Sequence, residues 1–125
     1  MPERVKVFFD GGCRGDRGKL EIAVVTGGRA TILTEIGYGT SADAEWLALI
    51  EALKIARALA LPEVVLLGDS ADVVAKANGM LRCRDDALHH LDRFRALAGA
   101  NPPRVRRIKR SQNLAGIALA RLHDR

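Results

Sequence analysis

Residues 5–15, VKVFFDGGCRG, run apolar side chains up to one aspartate and then turn to glycine. Val5 to Phe9 has the β-branched and aromatic content of a strand, and the glycines that follow predict an exit from regular structure. A charge at the end of an apolar strand is costly unless something pairs with it. Asp10 is therefore either a turn residue, as the Asp10-Gly11 dipeptide signals, or part of a site.

Working outward, two more β-prone runs follow, Glu21 to Thr26 and Ala30 to Ile36, joined by Gly27-Gly28 as a tight hairpin. Thr40 or Ser41 then caps a long helix carrying Glu45 through Ala60, with Asp43 three residues after Thr40 in capping-box spacing. Pro62 marks its exit. Val64 to Leu67 is apolar without alternation, the pattern of a parallel strand buried on both faces, and Gly68-Asp69-Ser70 ends it. A short helix from Ala71 to Asn78 stops at Gly79, another covers Asp86 to Leu97, and Asn101-Pro102-Pro103 connects to a last strand, Arg104 to Lys109. A final helix from Asn113 to His123 would present Leu114, Ile117, Ala118 and Leu122 along one face. The order βββαβααβα describes an α/β domain with a mixed five-stranded sheet and helices packed on it.

In such sheets sites form outside the carboxyl ends of parallel strands, so Asp10 and Asp69, each just past such an end, are placed to meet. Glu45 heads the apolar face of its helix: at 100° per residue Leu49 lies about 40° from it and Ala52 about −20°. A carboxylate aimed at the sheet from a first turn is unusual unless paired or bound to metal. Each acid also has a local explanation: Asp10 as a turn residue, Asp69 as a helix cap, Glu45 as a partner of the helix dipole. Three such explanations would have to coincide at one locus. Clustered carboxylates repel, a divalent cation relieves them, and oxygen-only ligands suit Mg²⁺ or Mn²⁺. Asp10 would then be a metal ligand, and Gly11-Gly12 would admit a phosphate backbone at close range.

Whole-chain properties agree. The 125 residues are the size of one domain, expected to span 1–125, and 48% hydrophobic with 28% charged residues suits a soluble globular protein. Met1 to Lys6 lacks the apolar core of a signal peptide, and no run reaches a spanning length, so no membrane role and a cytoplasmic location are expected. Cys13 and Cys83 have neither disulfide-framework nor metal-ligand spacing. A net charge of +5 favours a polyanionic partner. Its local expression is Arg104 to Arg110, where five of seven residues are basic. Gly12, Gly15 and Gly18 do not make a nucleotide cradle, because their loop leads to a strand and not to a helix N-terminus.

On these motifs the chain resembles the type 1 ribonuclease H family in its compact bacterial and archaeal form. FFDGGCRGDRG is similar to that family's first strand, Asp-Gly and glycine-rich loop; TSADAEWLALIEAL resembles its glutamate-bearing helix; LLGDSADVV resembles its third motif. The resemblance implies a ribonuclease H-like fold and a metal-dependent endonuclease cutting the RNA strand of RNA–DNA hybrids. It also implies that Asp10, Glu45 and Asp69 are three of four carboxylates holding two Mg²⁺ or Mn²⁺ ions, with Asp10 bridging both. Phosphate and 2′-hydroxyl contacts are implied for Gly11, Gly12, Cys13, Arg14 and Gly15, for Thr40 and Ser41, and for Arg104, Arg106, Arg107, Lys109 and Arg110.

Three departures stand out. The family's last helix typically reads Asn-x-x-Ala-Asp-x-Leu-Ala, and NLAGIALA places Ile117 where the fourth carboxylate belongs, or Gly116 if the register slides by one. Asp124 lies seven residues beyond Ile117, about 10 Å along a helix, too far to replace it. Thr40-Ser41-Ala42 stands where the family has Thr-Asn-Asn, and the family's histidine before the last helix falls near Arg107. A catalytically inactive nucleic-acid-binding protein on the same fold is the alternative these departures raise. His89, His90 and His123 match no motif and are expected at the surface or at helix ends.

Overall fold

β1 (Val5–Arg14) runs longer than its apolar start suggests, and its length positions everything else. The computed structural model describes residues 4–15 and 18–123; Asp124 lies outside the described residues. β1 pairs in parallel with β4 (Val64–Gly68) from Val5 to Phe8, then continues antiparallel to β2 (Lys19–Thr26) from Phe8 to Arg14. The glycines after Asp10 therefore do not end the strand. Pairing with β2 satisfies their backbone, so the extended conformation persists without large side chains.

β3 (Arg29–Leu33) follows the Gly27-Gly28 turn and ends three residues before the expected Ile36. Glu35 adopts φ 53°, which breaks the strand. β5 (Arg104–Arg107) pairs in parallel with β4 and stops before Lys109, where the chain turns into a 3₁₀ segment at Arg110–Gln112. The sheet order is β3-β2-β1-β4-β5.

α1 (Ser41–Ala58) begins with the expected capping box: the Asp43 N–H donates to the Thr40 hydroxyl, and the Thr40 N–H donates to the Asp43 carboxylate. It buries Trp46, Leu49 and Leu53 against Val7, Phe9, Ile22 and Val24 on one face of the sheet, together with Leu91 and Phe94 of α3 (Asp86–Ala98). Gly11 is where α1 comes closest. A Cβ there would sit 2.2 Å from the Ala44 oxygen, so only glycine lets the first turn of α1 lie on the strand. The close approach made at Gly11 is that of the α1 backbone.

The other face holds a smaller core, Ala23 and Val25 against Ala115 and Leu119 of α4 (Leu114–His123), with Phe8 and Ile32 at its margin. This corrects the expected face of the last helix. Leu114, Ile117 and Leu122 are exposed, and the small Ala115 is fully buried. His90 is a second correction: it is buried, its Nε2 2.9 Å from Asp43 Oδ1 and its ring stacked near Trp46. Burial alone would raise the Asp43 pKa, but hydrogen bonds from the Thr40 N–H, His90 and the Thr40 hydroxyl prevail and hold it low. No helix among the described residues is long and apolar enough to cross a membrane.

Candidate metal centre

β4 ends at Gly68 while β1 runs on, so beyond Phe8 one side of β1 has no strand beside it. This is also where the chain switches direction across the sheet, with β2 and β3 to one side of β1 and β4 and β5 to the other. Asp10, Glu45 and Asp69 converge in that gap, with ligand oxygens all within 4.8 Å of one another. Asp10 comes from the strand, Asp69 from the residue after β4, and Glu45 from the first turns of α1. Asp69 is free to point there because Ser70 takes the cap of α2 (Ala71–Ala77), accepting from the Val73 N–H at 3.3 Å.

The site is acidic and partly dry. Burial, reinforced by the nearby Asp10 charge, pushes the Glu45 pKa up to about 9. Burial also raises that of Asp10, reinforced by the Asp69 charge and opposed by the Arg110 guanidinium. Glu45 Oε1 accepts from the Gly11 N–H at 3.3 Å, whereas Oε2 is buried without a hydrogen-bond partner. An orphaned carboxylate oxygen facing two further carboxylates is the arrangement a hard divalent cation satisfies, and the donor set is oxygen only. The residues present fit such an ion.

Asn113 holds this arrangement from behind. Fully buried, it donates through Nδ2 to the Phe9 oxygen and to Asp69 Oδ2, each at 3.0 Å, and its Oδ1 accepts from the Ala115 N–H at 3.1 Å. One side chain thus caps α4, ties it to β1 beside Asp10 and orients Asp69. Its place before an apolar helix signals the cap, but nothing local to it signals the other two contacts.

A cleft of about 520 Å³ opens over the acids, lined also by Gly12, Arg14, Glu21, Ser41, Arg110, Gly116, Ile117 and His123. Gly116 and Ile117 thus face the place where the last helix would contribute an acid, and neither offers an oxygen. A Cβ on Gly116 would lie 3.4 Å from Asp10 Oδ2. Glu21, buried on β2, and His123 were not singled out by sequence; the imidazole Nε2 lies 2.6 Å from Glu21 Oε2.

The basic residues divide. Arg110 lines the cleft, and Arg107 donates through Nε to the Asp69 oxygen at 3.4 Å. Arg106 and Arg107 join Arg4 and Lys6 around a groove beside β4 and β5. Arg104 sits at the opposite end of the sheet, paired in register with Val65 and lining a separate hollow with Arg4, Arg57 and Pro102. Lys109 is exposed. At the mouth of the site, Thr40 is occupied by its cap, and the exposed Cys13 places Sγ 3.5 Å from the Gly39 oxygen.

Known proteins share this architecture. The profile of a family described as "Reverse transcriptase-like" matches residues 8–123. Ribonuclease HI of Halobacterium salinarum is 33% identical over 125 aligned positions, covering 94% of this chain and 62% of that protein. The chain thus spans less than two thirds of the length of this curated relative. The crystal structure of RNase H1 from the halophilic archaeon Halobacterium salinarum NRC-1 superposes with a TM-score of 0.83 at 29% identity, over 98% of this chain and 100% of that one. LC11-RNase H1, crystallised in complex with RNA/DNA hybrid, shares the fold with a TM-score of 0.77 at 24% identity, over 89% of each chain. With the element order, the sheet topology and the converging acids agreeing with these matches, the chain belongs to the type 1 ribonuclease H family.

Proposed function

We propose that this protein is a divalent-metal-dependent endonuclease that hydrolyses the RNA strand of RNA–DNA hybrids. The observation that carries the reading is the meeting of Asp10, Glu45 and Asp69 within 4.8 Å, with Glu45 Oε2 buried and unpartnered. Relatives named as ribonucleases H, one of them crystallised with a hybrid, support the substrate class.

Asp10, Glu45 and Asp69 would hold Mg²⁺ or Mn²⁺, with two ions expected. Bound there, divalent cations supply an activated water and charge neutralisation at the leaving oxygen of an in-line phosphoryl displacement. The chain's own work is positional. Asp10 lies within 4.8 Å of the Glu45 and Asp69 oxygens and also against α4 at Gly116, so it borders both parts of the site. The Gly11 N–H and the Asn113 amide fix two of the carboxylates, and α1 shields Glu45 from water. Arg110 and Arg107 offer positive charge beside the acids, where a phosphate would otherwise be repelled. Backbone along Gly11 to Gly15 and Ser41 at the cleft wall are placed to touch sugar and phosphate, which reads shape and not sequence. The free thiols of Cys13 and Cys83 support a reducing, cytoplasmic setting.

Cleavage of a labelled hybrid by purified protein with Mg²⁺ or Mn²⁺, abolished in Asp10→Asn, is the expected result. No cleavage by the parent under either metal would discard the nuclease reading. A second reading, a nucleic-acid-binding protein without turnover, is favoured by Ile117 lining the cleft in place of an acid. Activity that appears only in Ile117→Asp would establish it.

A further inference from the structure

We propose that Glu21 completes the acid set of this cleft from β2, in place of the carboxylate that α4 lacks at Gly116 and Ile117. The inference rests on the metal-dependent reading above and names a residue for it.

Glu21 shares a face of the sheet with Asp10. In the β1–β2 register Asp10 opposes Ala23 and Gly12 opposes Glu21, so Glu21 is one diagonal step from Asp10 on the side that faces α4. Diagonal neighbours of this kind stand roughly 7–8 Å apart, within reach of a long side chain. Gly12, opposite Glu21, carries no side chain, and neither does Gly116 on α4 beside Asp10. A Cβ on Gly12 would meet only Glu21 Cγ, at 3.9 Å, and one on Gly116 would meet Asp10 Oδ2, at 3.4 Å. One glycine of β1 thus leaves room beside Glu21 and one of α4 leaves room beside Asp10, in the cleft that both acids line.

A carboxylate is an expensive choice at this position. Glu21 is 5% exposed, and the next residues on the same face of β2, Ala23 and Val25, are apolar and buried. Its charge is met by His123, with Nε2 at 2.6 and 2.9 Å from its two oxygens, and more loosely by Arg14 Nε at 3.5 Å. Both partners approach from the rim of the cleft that holds the triad. Carboxylates that serve metals are commonly held by an outer hydrogen-bond partner, and His123 would have that place. A hard cation shared by two carboxylates needs oxygens about 4 Å apart, a separation the torsions of a glutamate can close from a diagonal position.

The test is Mn²⁺ titration of the purified chain, followed by the electron paramagnetic resonance of free Mn²⁺. The parent is expected to bind a tight ion and a weaker one. Glu21→Gln should weaken the second about tenfold or more while sparing the first, and adding Ile117→Asp to that variant should restore it. His123→Gln, whose side-chain amide can still donate to Glu21, should retain the second ion. Equal losses in Glu21→Gln and His123→Gln would reduce Glu21 to half of a clamp and overturn the proposal, as would a Glu21→Gln titration identical to the parent's.

Ile117→Asp alone covers the case in which Glu21→Gln does not fold. If Glu21 already serves, the added acid leaves the second affinity nearly unchanged, whereas a gain of about tenfold would show the place vacant and refute the role. Hybrid cleavage that depends on Asp10, together with any of these negative results, would leave the nuclease reading standing and remove only Glu21.

Discussion

Asn113 and Asp69, 44 positions apart in the chain, meet through an amide-to-carboxylate hydrogen bond of 3.0 Å. The same amide bonds the Phe9 oxygen, so the start of α4, the end of β4 and the Asp10 segment of β1 are joined at one buried side chain.

Replacing Asn113 by alanine strands the Phe9 oxygen, uncaps α4 and frees Asp69. Chemical denaturation should show a loss of about 2–4 kcal/mol. Divalent-metal affinity should fall with it, because Asp69 is no longer oriented.

Gly11→Ala should be more damaging than its size suggests. The new methyl would lie 2.2 Å from the Ala44 oxygen, a backbone atom that can move only if α1 moves. A loss of about 3 kcal/mol or more is expected from thermal melts, and Glu45 leaves the site with its helix.

The metal-free protein should lose stability as pH rises. The unfolded chain releases the Glu45 proton near its ordinary 4.5, while the folded chain keeps it to about 9 because of burial and the neighbouring Asp10 charge. Between those values the unfolded state binds fewer protons, so the penalty is absent below 4.5 and complete above about 9. Asp10 shifts in the same direction. Glu45→Gln should flatten the dependence of the melting temperature on pH. In the parent, metal affinity should rise with pH over this window as the cation displaces a proton.

Asp10→Asn should trade function for stability. Removing one of three facing carboxylates relieves repulsion, so the metal-free melting temperature rises, while the rise that Mg²⁺ or Mn²⁺ induces in the parent disappears. An unchanged metal response in this variant would contradict the assignment of Asp10.

Hybrid binding should distinguish the arginines. Arg110→Ala and Arg107→Ala are expected to weaken binding and to lower the slope of log affinity against log salt by about 1 each. Arg104→Ala, at the far end of the sheet, should leave the slope unchanged.

Local signals in the sequence were enough for the element order, the Thr40–Asp43 capping box, the parallel burial of Val64 to Leu67 and the three acids, because each depends on neighbours within a few residues. Where a strand ends is less local. β1 continues through Gly11 and Gly12 because β2 supplies the pairing, and no property of the glycines announces that partner. The buried face of α4 was misread for the same reason: a tight interface with the sheet selects Ala115 over Leu114, and size preference at a contact is invisible without the contact.

The sequence by itself determined the strand and helix order and the choice of Asp10, Glu45 and Asp69 as one set of acids. Only the tertiary structure decided that Gly11 serves the approach of α1, that Asn113 orients Asp69, that Arg104 stands away from the site, and that Glu21 and His123 border it. The first set follows from periodicity and capping, which act along the chain. The second follows from close packing between segments far apart in sequence, where the neighbour across the gap, and not the neighbour in the chain, sets what a residue does.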